Sequence, residues 1–126
     1  MNTDTISAIS TSVSVGVTAA VHDFADANSG ERKKIVERLK GNAHSLSFFE
    51  EEDFKKFDKL FAKPASRANY EIEGAALGAI IGGIIGGSIG GAAGAAVGAA
   101  IGQPVGASIG GNIPRKRAHR SAQGPL

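Results

Sequence analysis

Glycine recurs at every fourth position across the second half of this 126-residue chain: Gly74, Gly78, Gly82, Gly86, Gly90, Gly94, Gly98, Gly102, Gly106 and Gly110. A second row keeps the same interval, with Leu77, Ile81, Ile85, Ile89, Val97, Ile101, Val105 and Ile109 as its large members and Ala93 as its one small member. Residues four apart share a helix face, so the glycines form a flat groove that lets another helix backbone approach closely. In water such a helix is costly. Each glycine forfeits about 1 kcal/mol relative to alanine, on the order of 14 kcal/mol for the 14 glycines between 74 and 111. An isolated aqueous helix is excluded, whereas close packing in lipid, where the backbone must satisfy its own hydrogen bonds, reverses the balance.

Charge divides the chain in the same place. Residues 1–73 hold all 12 acids and 10 of the bases, residues 74–111 hold none, and Arg115, Lys116, Arg117 and Arg120 follow. The net charge of +2 therefore comes from a short basic tail, and no nucleic-acid partner is expected. That tail suits anionic headgroups, at about 1 kcal/mol per basic residue.

The uncharged 38 residues would reach about 57 Å as one helix, against a hydrocarbon core of about 30 Å. Two arms fit better. A step of four advances about 400°, so the groove on one long helix would drift around it, whereas a hairpin keeps it facing a partner. The turn is expected within 86–91, leaving arms of roughly 75–85 and 92–109. Gln103–Pro104 is the one polar break in the second arm; it reads first as a kink and second as lining for a water-filled path, to which Ser88 and Ser108 would add. Ten strongly apolar residues supply only about −3 to −6 kcal/mol toward insertion. A protein carried in soluble form that inserts on arrival is the expectation.

The front half reads as helical. Ile6, Ile9, Val13, Val17, Val21 and Phe24 step by three or four, and this longer pattern outweighs the strand-like alternation of Val13, Val15 and Val17. Asn28 and Glu31 mark a second helix start, with Gly41 as its expected end. Ser47 and Glu50 repeat the capping pattern ahead of a helix whose inward face carries Phe54, Phe57, Leu60 and Phe61, with Phe48 and Phe49 adding to the same small apolar cluster and Pro64 marking its end. The fold class expected is all-α: an amphipathic helical region over 1–63, a linker over 64–73, a glycine-zipper transmembrane hairpin over 74–111 and a disordered basic tail over 112–126. Residues 1–24 lack a basic n-region and a continuous apolar stretch, so no cleavable leader is expected.

Nothing in the chain suggests catalysis. Cysteine is absent, His22, His44 and His119 lack metal-ligand spacing, and the glycines accompany no Lys-Ser/Thr ending of a phosphate loop. No enzyme activity, metal or cofactor is expected.

The ladder from Gly74 to Gly110 resembles the glycine-zipper membrane domains of colicin V-like bacteriocins, of pore-forming type VI secretion effectors and of small bacterial envelope proteins. Envelope members often carry a signal or a lipobox cysteine, and neither stands here, which favours the secreted toxins. The resemblance implies a membrane-inserting, pore-forming antibacterial toxin or effector that forms homo-oligomers through its glycines and dissipates ion gradients across the inner membrane of a target cell. A secretion carrier, chaperone or immunity protein would bind the N-terminal helices. The alternative is a structural or assembly protein, such as a virion component, a particle cargo or a membrane-shaping hairpin, whose zipper only mediates association.

Overall fold

The computed structural model describes the backbone of residues 2–46 and 67–122, and the side chains of 2–46 and 69–113. Regular structure among these residues is entirely helical: α1 (Thr3–Asp26), α2 (Ser29–His44) and α3 (Arg67–Ala122). The helix expected after Ser47, with its phenylalanines, lies outside the described residues.

Helix α1 starts where the Asn2 side chain accepts the Thr5 amide at 2.8 Å, satisfying one of the donors a helix N-terminus leaves open. Val13 and Val17 are fully buried while Val15 is 68% exposed, a separation that only the helical period produces. Asn28 caps α2 in the same way, accepting the Glu31 amide at 2.9 Å. Gly41 does not end α2 as expected. The helix continues to His44 because its last turn buries Ala43, a packing gain that outweighs the propensity cost of one glycine. Gly41 itself is exposed, with no neighbour against which an added Cβ would press. Gly41→Ala is thus expected to stabilise the fold by about 0.5–1 kcal/mol, read as a higher thermal midpoint by circular dichroism.

Helix α3 corrects two boundaries. It begins at Arg67, inside the expected linker, and runs to Ala122, through most of the expected tail. Buried Tyr70 and Glu73 account for the early start, and buried Ile113 holds the second arm just past the uncharged stretch. Inside α3 the backbone leaves helical geometry only at Gly90 (φ −128°, ψ 16°) and Gly91 (φ 68°, ψ −151°), where the chain reverses. The turn thus occupies the last two positions of the expected 86–91 segment, and helical dihedrals continue through Gln103–Pro104.

The hairpin and α1 share one core. Ile9, Val13, Val17, Val21 and Phe24 join Tyr70, Leu77, Ile80, Ile81 and Ile113, with Val36 and Ala43 of α2 at one end. Ile85, Val97, Ile101, Val105 and Ile109 pack against this cluster partly buried, so most of the large-residue ladder faces the core, while Ile89 beside the turn is 43% exposed. The direction of α1 follows from its contacts. Ile9 lies beside Gly94 near the turn and Gly16 lies against Ile85, while Phe24, through Arg32, is tied to Glu73 at the open end. Thr3–Asp26 and Asn69–Ile113 are both long and apolar enough to cross a membrane.

Candidate functional site: a glycine zipper closed within one chain

The two arms of α3 face each other along the glycines in antiparallel register. Gly74 opposes Gly106, Gly78 opposes Gly102, Gly82 opposes Gly98 and Gly86 opposes Gly94, while Gly110 faces the backbone of Tyr70. All nine of these glycines are buried. A Cβ built on Gly78 would stand 2.9 Å from the Gly102 carbonyl carbon and 3.1 Å from the Gly106 Cα, and closer still to the Gly102 oxygen. The relation is mutual: a Cβ on Gly102 would stand 2.9 Å from the Gly78 carbonyl carbon. Where a side chain would begin, each glycine instead directs a Cα hydrogen at the opposite carbonyl, the weak C–H···O contact that recurs where helices meet backbone to backbone. Successive rungs are about 6 Å apart along the axis, so the closed seam runs for roughly 24 Å.

Gly90 is a turn residue and not a rung. Its neighbour Gly91, at φ 68° and ψ −151°, occupies a region that essentially only glycine adopts. No atom lies within 4 Å of a Cβ built there, so the constraint on Gly91 is conformational and not steric. Gly91→Ala is expected to cost about 1–3 kcal/mol, measured as a lowered denaturation midpoint.

Ser88, Gln103 and Ser108 are exposed, but one protomer does not gather them. Ser88 sits near the turn, with its hydroxyl donating to the Ile84 carbonyl at 2.8 Å, whereas Gln103 and Ser108 lie progressively nearer the open end. Arg115, Lys116, Arg117 and Arg120 stand on the closing turns of α3, past the seam. The outward face of the second arm carries Ala92, Ala96, Ala100, Pro104 and Ser108, all exposed and again four apart.

Sequence reasoning missed a buried ion pair. The Arg32 guanidinium meets the Glu73 carboxylate through two bonds, Nη1 to Oε2 at 2.9 Å and Nη2 to Oε1 at 3.3 Å, with side chains only 2% and 7% exposed. Arg32 also stacks on Phe24, 4.4 Å from the ring centroid, and its Nε donates to the Ala27 carbonyl at 3.4 Å. A signal was present: Arg32 is in phase with Val36 on the buried stripe of α2, and Glu73 is the last charge before the uncharged run.

Residues 73–117 match a protein-family model described as a glycine zipper. No curated protein and no solved structure matches the chain. The segment is a glycine zipper, and zipper and apolar helices together are compatible with membrane association and oligomerisation.

Proposed function

We propose that this protein is a membrane-inserting, pore-forming toxin or effector whose inserting element is the zipped hairpin. The observation that carries the reading is the seam of backbone-to-backbone contacts within an α3 stretch that bears no charge between Glu73 and Arg115. Such a seam stabilises a helix pair by close packing, which lipid does not compete with, and the helical arms on either side of the turn satisfy their own backbone groups internally. The glycines are consumed within the protomer, so copies associate through the outward row of Ala92, Ala96, Ala100, Pro104 and Ser108, a small-residue face of the same spacing. Ser88, Gln103 and Ser108 then supply the polar groups of a path formed between protomers. The action needs no catalytic residue or cofactor. Arg115, Lys116, Arg117 and Arg120 hold the open end at anionic headgroups. The target is the inner membrane of a bacterial cell, reached by a soluble form, with a carrier or immunity protein engaging the N-terminal helices.

Release of an encapsulated dye from anionic vesicles tests this directly. Micromolar protein is expected to empty the vesicles and, expressed without an immunity partner, to arrest growth. Tight binding without release would instead favour the assembly-protein reading, in which the zipper only holds a scaffold together.

A further inference from the structure

We infer that α1 crosses the bilayer together with the hairpin, as the third helix of one uncharged slab. The inference rests on the membrane reading above and adds the element that the sequence placed outside the membrane.

Three observations coincide. First, α1 carries no Asp, Glu, Lys or Arg between Asp4 and Asp23, a rise of about 28 Å, and the first arm of α3 carries none between Glu73 and the turn at Gly90, about 26 Å. Both lengths approach the hydrocarbon thickness of about 30 Å. Second, the two uncharged stretches lie at the same height. Ile9 is beside Gly94 near the turn, Gly16 is against Ile85, and Phe24 reaches Glu73 through Arg32 at the open end, so the charges of α1 and of the first arm of α3 lie at the two ends of these uncharged stretches. Third, the outward face of α1 in this band has no charge to offer water and exposes Ile6 by 42% and Val15 by 68%. Its hydroxyls are compatible with lipid, because serine and threonine can return hydrogen bonds to the preceding turn, as Thr18 Oγ1 does to the Ser14 carbonyl at 2.7 Å.

The competing picture makes α1 a cover that is shed when the hairpin inserts. Shedding it would uncover Ile9, Val13, Val17 and Phe24, all now fully buried, and would take the Phe24 ring from the Arg32 guanidinium that stacks on it. Retaining α1 avoids both costs.

The chain has no cysteine, so single probes can be placed without background. Val15→Cys and Ala100→Cys, both on exposed positions near mid-slab, are each labelled with an environment-sensitive fluorophore and mixed as full-length protein with anionic vesicles carrying quenchers deep in the acyl chains. Severalfold brightening and deep quenching at both sites is the expected result. A buried probe at position 100 with a water-exposed or shallow one at position 15 overturns the inference and leaves the hairpin reading standing. Water exposure at position 100 overturns the membrane reading and, with it, the inference. A second variant, Gly16→Cys/Ile85→Cys, joins α1 to the first arm by a disulfide. Dye release within about twofold of the reduced form is expected, whereas release that appears only after reduction would show that α1 must leave.

Discussion

Gly82→Ile/Gly94→Ile is expected to leave membrane binding intact or stronger while separating the arms of α3 and lowering dye release at least tenfold. Two considerations pull in opposite directions. Isoleucine is a better helix former than glycine by about half a kcal/mol per site and adds apolar surface, so propensity and hydropathy both favour the variant. Packing opposes it. Gly82 faces the Gly98 carbonyl carbon at 2.9 Å from the position of an added Cβ, and Gly94 faces that of Gly86 at 3.0 Å. The obstructing atoms are backbone, which cannot rotate aside as a side-chain tip can, so relief requires the helices to part by the width of a side chain. Overpacking a well-filled core typically costs about 1–3 kcal/mol, and these two substitutions strike different rungs of one seam. Spin labels placed across the arms would read the separation directly. Unchanged distances with full activity would show the glycines to be mere spacers, and the zipper mechanism would be abandoned. Gly41→Ala provides the contrast, since a glycine on an open helix face should respond to propensity alone.

How far the fold was legible in the sequence follows from which forces write periodic patterns. The ladder at 74–110 shows its period directly, and with it the hairpin and the region of the turn, because close backbone approach requires glycine at each contact. Asn28 and Glu31 gave the start of α2 for a similar reason: a cap is a local bond between near neighbours. The destination of α1 was not legible. Its stripe of Ile9, Val13, Val17 and Val21 says that one face is buried but not against what, and the matching row of Leu77, Ile81 and Ile85 fits lipid as well as a third helix. Helix ends failed where tertiary contacts overrode local signals, at Gly41 because Ala43 is buried beyond it and at 67–73 because Tyr70 and Glu73 are held. In the candidate site, the facing glycines were visible as a pattern, but their pairing within a single chain needed the register that the Gly90–Gly91 turn sets.

Charge pairing between residues 32 and 73 leaves a trace only in the phase of Arg32 with Val36, which does not name its partner, and its rupture should be among the most damaging single changes to the described fold. Arg32→Met would take from the Glu73 carboxylate its two bonds to the guanidinium, and Glu73→Leu would take the carboxylate from that guanidinium, in surroundings where the side chains are 7% and 2% exposed. Removing one member of such a pair typically costs about 3–5 kcal/mol, because the partner keeps its desolvation penalty and loses its compensation. Arg32→Lys should also be costly, since an ammonium cannot supply the two-pronged contact or the planar stack on Phe24. The double change Arg32→Met/Glu73→Leu removes both charges at once, and it should recover much of the loss, although the Phe24 and Ala27 contacts of Arg32 remain forfeited. Denaturation midpoints of the two singles and the double form a closed cycle, in which a coupling of roughly 2 kcal/mol or more is expected. Additive losses with no coupling would place the pair in contact with water, and Arg32 and Glu73 would then not fasten α2 to the base of the zipper.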